Sequence, residues 1–154
     1  MQLSTIDPIL PALAHCFDLP AIAQGFTANL PVGAGESLCS QPGTNRRAAW
    51  QVPRLQHLHY QPGHHCIATY ELRRTQSGQP PLTTIGVVEY TPAGFHYRFF
   101  HHDPDLPGLA TALDGQAMAN RLAALTQPSR PAARPEPCTV TPIRYRPGQR
   151  CALR

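Results

Sequence analysis

The sequence predicts an α+β fold, an antiparallel meander of four or more strands with flanking helices. Three observations lead there. Residues 55–102 carry strand-like runs of apolar and polar residues broken by Pro- and Gly-bearing turns. Two Asp-Pro-led segments carry apolar residues at helical spacing. The chain also holds 18 prolines, more than twice ordinary usage, which favours turns and short elements over long helices.

The elements follow in order. "DPILPALAHCFD" places a short acid and a proline before an apolar stripe, so a helix is expected near 8–16. Residues 24–48 lack a clear period and are expected to be irregular. "LQHLHY" (55–60) and "HCIATYELR" (65–73) flank Pro62-Gly63. Proline suits the second position of a turn and glycine the third, where φ is positive in type II, so a hairpin is expected with residue 61 facing 64. "LTTIGVVEY" (82–90) and "FHYRFFHH" (95–102) flank a second turn, Thr91 to Gly94. A second helix is expected over 107–126, where Leu106, Leu109, Leu113, Met118, Leu122 and Leu125 form a broken stripe. "QPSRPAARPEP" (127–137) reads as an extended Pro/Arg linker.

Two internal echoes organise these elements. "DPILPALAHCFD" (7–18) matches "DPDLPGLATALD" (103–114), and "YQPGHHC" (60–66) matches "YRPGQRC" (145–151). The order is the same in both copies. The expected organisation is one α+β unit over 1–101, then a helix, a linker and the start of a second similar hairpin over 103–154, which reads as cut short. Pro62, Gly63, Pro147 and Gly148 are the structural turn residues of this scheme.

Composition narrows the chemistry. All 13 basic residues are arginine, so no lysine amine exists for phosphate binding, Schiff-base formation or base catalysis. Residues 127–154 hold six arginines against one acid, Glu136. Five cysteines, an odd number without CxxC spacing, suggest free thiols and a reducing cytoplasm. The start "MQLSTIDPIL" has no basic leader with a long apolar run, and no membrane partner is expected.

Three constellations could carry function. Arg144, Arg146 and Arg150 surround the second turn and could clamp a phosphate or carboxylate through paired N–H donors. Their alternative role is that of solvent-facing edge-strand charges that discourage edge pairing. In the expected register, His57, His59, His64 and Cys66 share a strand face and could form a zinc site, but only the cysteine recurs in the second copy. No metal is therefore assigned. The aromatics Tyr60, Tyr70, Tyr90, Phe95, Tyr97, Phe99 and Phe100 could stack on bases, although core and cross-strand packing is their commoner use.

"YRPGQRCALR", following a "DPDLPGLATALD" helix, resembles the N-terminal, small-lobe region of bacterial phosphotransferases of the aminoglycoside phosphotransferase and choline-kinase-like superfamily. The resemblance covers about residues 55–154 and rests on one short motif. It implies a kinase-like small lobe whose catalytic Asp belongs to a larger helical lobe. It further implies that a full-length parent uses ATP and Mg²⁺ to phosphorylate a small hydroxylated molecule, while this chain alone needs no cofactor. Three departures stand out. Val87 in "TIGVVEY" takes the place expected for a phosphate-holding lysine. His101-His102-Asp103 begins like a catalytic loop but ends on Gly108 instead of a metal-binding Asn, and Asp7 in the echo marks Asp103 as a helix cap. "VGAGES" (32–37) is too sparse in glycine, and lacks the lysine, for a phosphate loop.

The leading expectation is thus the N-terminal portion of a kinase-like phosphotransferase, without catalysis of its own and with a missing C-terminal lobe or partner chain. The alternative is a binding module that pairs an exposed edge strand with a partner. A basic nucleic-acid-binding domain is a third reading; nucleic acid is not the expected partner.

Overall fold

Leu10, Leu13 and Cys16 recur at threefold spacing and are all buried, while Pro11 fixes the backbone at the first position of the segment. Pro11–Phe17 accordingly winds as a 3₁₀ helix. Asp18 then starts helix α1, Leu19–Ala28, by accepting a hydrogen bond from the Ala21 amide at 3.1 Å. Ile22 and Phe26 form its buried stripe. Part of the stretch expected to be irregular, 24–28, is therefore helical. The missed signal was Asp18-Leu-Pro20, a cap followed by an early proline. The computed structural model describes residues 7–29, 49–75, 81–126, 136 and 138–154. Residues 30–48 of the expected irregular stretch, and nearly all of the Pro/Arg linker, lie outside the described residues.

The chain divides into two compact units, Met1–Phe99 and Phe100–Arg154. In the first, strands β1 (Gln51–Gln61), β2 (His65–Arg74), β3 (Leu82–Thr91) and β4 (Gly94–Phe99) form an antiparallel sheet in sequence order. The fold is α+β, with an antiparallel meander and flanking helices. On β2, Cys66, Ala68, Tyr70 and Leu72 alternate onto the core face and are fully buried. They pack with Leu10, Cys16, Ile22, Phe26, Val88, Tyr90 and Phe99. Gly86 is required where it stands: a Cβ there would overlap the Phe26 ring and the Leu72 side chain. The Tyr70 hydroxyl, inside this core, donates to the Cys16 carbonyl at 2.9 Å and meets the Tyr90 hydroxyl at 3.4 Å. The aromatics of this unit mostly serve packing, with Phe26 edge-on to Tyr97 at 4.9 Å.

The second unit repeats the opening of the first. A short 3₁₀ turn, Phe100–His102, leads to helix α2 (Leu109–Leu113), helix α3 (Gly115–Thr126) and the two-stranded sheet of β5 (Pro142–Arg146) and β6 (Arg150–Leu153). The single helix expected over 107–126 is two, because Asp114 is extended at φ −76°, ψ 102°. Its Oδ1 accepts from the Gln116 and Ala117 amides at 2.9 and 3.0 Å, which starts α3 as Asp18 starts α1. Similarly, the strand expected through 102 stops at Phe99. No helix among the described residues is long and apolar enough to cross a membrane.

Candidate functional site

The two echoes in the sequence are the two halves of one structural device. In the first unit, Asp7 Oδ1 accepts from the Ile9 amide at 2.9 Å. Its other oxygen, Oδ2, accepts from the Tyr60 hydroxyl at 2.9 Å and the Gly63 amide at 3.0 Å. The carboxylate thereby clasps the turn between β1 and β2 to the start of the helical segment. The second unit repeats it. Asp103 Oδ1 accepts from the Asp105 amide at 3.1 Å, and Oδ2 from the Tyr145 hydroxyl at 2.6 Å and the Gly148 amide at 2.8 Å.

Each partner type follows from the geometry. The aspartate is nearly enclosed in both copies, Asp7 at 7% and Asp103 at 2% exposure, and a buried carboxylate needs several donors. Glycine provides one because Gly63 and Gly148 hold φ at 71° and 67°, inside a turn closed by His64 N–H to Gln61 C=O and Gln149 N–H to Arg146 C=O, both 3.1 Å. Pro62 and Pro147 occupy the turn position that favours their fixed φ. Electrostatics agree with the contacts: the Gly63 and Ile9 amides, with Tyr60, hold the Asp7 carboxyl below its ordinary range against the opposing effect of burial. The same bond to Asp7 raises the Tyr60 phenol. Asp103 accepts from a tyrosine hydroxyl and two backbone amides, as Asp7 does. It is a turn residue and clasp acceptor, a wider role than the helix cap expected.

The clasp also sets the register. Gln61 pairs with His65, Tyr60 with Cys66 and His59 with Ile67, one residue away from the expected pairing of 61 with 64. His64 closes the turn instead of opening the ladder. This separates the supposed zinc set. Cys66 shares the core face with Tyr60 and is fully buried, whereas His57 and His59 lie on the opposite face and His64 sits in the turn. His59 instead neighbours His65, with ring centroids 6.0 Å apart. Burial pushes the Cys66 thiol up to about 11, away from the thiolate a metal needs.

In the second unit, Tyr145 pairs with Cys151 and Arg146 with Arg150, so Tyr145 turns inward onto Asp103 and the ring of Phe100, 5.7 Å away. Arg144, Arg146 and Arg150 project together on the other face and are all exposed. Strand alternation adds Arg154, bonded through its backbone to Thr141, to that same face. The structural counterparts of these four in the first unit are His59, Gln61, His65 and Thr69. Among the described residues, the ion pairs lie elsewhere: Glu71 takes Arg54 Nε at 2.7 Å and Arg73 Nη2 at 2.6 Å, and Glu89 meets His96 at 3.5 Å.

Val87, where the resemblance would place a lysine, is fully buried and paired with Thr69 and Arg98. The Asp103 carboxylate is committed to the clasp. "VGAGES" lies outside the described residues. The sequence alone named the turn residues and three of the four arginines; it missed the joint role of Asp7 with Tyr60 and of Asp103 with Tyr145. The signal was present in the paired recurrence of both echoes. No family profile, curated protein or solved structure matches the chain.

Proposed function

We propose that this chain is a non-catalytic, small-lobe-like portion of a kinase-like phosphotransferase, acting with a helical lobe that carries the catalytic Asp and the nucleotide. One observation carries the reading. Four residues of the motif that resembles the family's hairpin take part in one built device, with Tyr145 and Gly148 on Asp103, Pro147 in the turn and Cys151 opposite Tyr145. The α+β layer, with its antiparallel hairpins, supports the same reading.

The parent would phosphorylate a small hydroxylated molecule, and this portion would contribute shape and charge to it. The free thiols at Cys16, Cys66, Cys138 and Cys151 support a cytoplasmic setting. A second reading is favoured by β6: its outer edge has no paired strand among the described residues, so the hairpin could take up a partner strand.

The decisive experiment reads the genomic DNA beyond codon 154 and assays the encoded product for phosphate transfer from ATP. An in-frame continuation with an HxD loop and turnover is the expected result. A stop codon with no large-lobe frame nearby overturns the phosphotransferase reading and leaves the strand-pairing module.

A further inference from the structure

We infer that the outer face of the β5–β6 hairpin is a binding surface for clustered phosphate groups, formed by Arg144, Arg146, Arg150 and Arg154.

The argument rests on the internal duplication. Two copies of one backbone device keep the residues that build it: the aspartate, the tyrosine, the Pro-Gly turn and the inward cysteine. The outward positions differ in one direction. His59, Gln61, His65 and Thr69 present no guanidinium, while all four counterparts are arginine. Holding the hairpin together does not require this change, because the first copy folds the same turn without it.

Dimensions and chemistry select the ligand class. Arg150 opens β6 and Arg154 follows its last residue, four residues on and about 13 Å away along an extended backbone, and β5 lies roughly 4.8 Å from β6. That area suits one compact phosphate chain. Guanidinium forks match phosphate oxygens in pairs, and no described ion pair neutralises these four. Ala152, exposed between Arg150 and Arg154, leaves room for an anion to approach the sheet. A surface for single-stranded nucleic acid would interleave aromatics for base stacking. Here the hairpin's aromatic residue, Tyr145, points inward with its hydroxyl on Asp103.

The test uses the whole chain, without magnesium and at low salt. Inorganic tripolyphosphate is titrated by calorimetry, in parallel with ATP and a short thymidine oligonucleotide. The expected result is one-to-one tripolyphosphate binding with Kd below about 1 mM. Arg144→Gln/Arg146→Gln/Arg150→Gln should weaken it at least about tenfold, and the triple Arg→Lys variant by a smaller factor, since lysine keeps charge but loses the fork. Arg121→Gln, an exposed single-charge change on α3, should leave it unaltered. Equal affinity for tripolyphosphate and ATP identifies the phosphate chain as the whole determinant; tighter ATP binding identifies a nucleotide source. Failure to bind tripolyphosphate, binding indifferent to the triple Gln variant, or oligonucleotide binding far stronger than either small anion overturns the inference. Thermal melting of the Gln and Lys variants confirms that they remain folded. Because no turnover is measured, the inference can fail or stand independently of the phosphotransferase reading.

Discussion

The first unit and the second solve the same folding problem with different amounts of support. Both anchor a Pro-Gly turn on a buried aspartate. In the first, β2 is flanked on both sides and its core face continues from Cys66 through Leu72, fully buried. In the second, β6 pairs with β5 alone among the described residues, and the counterpart of Cys66, Cys151, is half-buried. The helices differ in parallel. Phe26 on α1 is 1% exposed, whereas its counterpart Leu122 on α3 is 50% exposed. The clasp is thus a local device that forms with or without a full sheet. Two strands alone are marginal in water, so the clasp carries a larger share of the hairpin's stability in the second unit.

The sharpest contrast is chemical. Burial pushes the Cys16 thiol up to about 12 and Cys66 up to about 11, and it raises half-buried Cys151 as well. A maleimide titration followed by mass mapping should modify Cys151 about 10³-fold faster than Cys66, because Cys66 reacts only when its unit opens. Comparable rates would mean that the first unit's core is not closed. Truncation gives the next largest effect. Phe26→Ala should cost about 3–5 kcal/mol in urea unfolding monitored by Trp50, and Leu122→Ala under about 1 kcal/mol by amide exchange in α3. A similar loss at both sites would break the asymmetry.

The clasp itself is tested by Asp7→Asn and Asp103→Asn. Each removes the charge and one acceptor oxygen, leaving either the tyrosine hydroxyl and glycine amide that share Oδ2 or the amide bonded to Oδ1 without a good partner. Exchange at the Gly63 and Gly148 amides should accelerate by about tenfold or more, with the larger change at Gly148 because fewer contacts back up that hairpin. A silent substitution at either site removes the aspartate from the account of the turn.

The gentlest effect is on acidification. The Asp7 carboxyl lies below its usual 3.8. Glu71 lies below 4.5, because the Arg54 and Arg73 bonds outweigh its burial. Both groups hold fewer protons folded than unfolded, so their contribution is present above the unfolded values and fades as pH falls through the folded ones. The urea midpoint of the first unit should be flat near neutrality and decline below about pH 4.5, less steeply in Asp7→Asn. An unchanged slope in that variant would show that Asp7 does not set the acid response.

Much of the architecture was legible from local chemistry. The Pro-Gly turns, the alternation on β2 and β3, and the two Asp-Pro starts are decisions made within a few residues. So was the repeat, since both copies retain the residues that build the turn. The separation of His57 and His59 from Cys66 was not legible, because a single extra residue in the turn reverses which face a strand residue meets. Nor was the break at Asp114, where an acid within an apolar stripe could have been an exposed helical residue.

What the sequence determined by itself, then, is the set of short-range commitments: where the chain turns, where helices start, and which outward positions carry charge. What only the tertiary structure decided is which partner each buried group finds. Asp7 is 53 residues from Tyr60, and Asp103 is 42 from Tyr145. Hydrogen bonds over such spans depend on register and on the enclosed space into which both groups are folded, and neither is encoded in the neighbours of either residue.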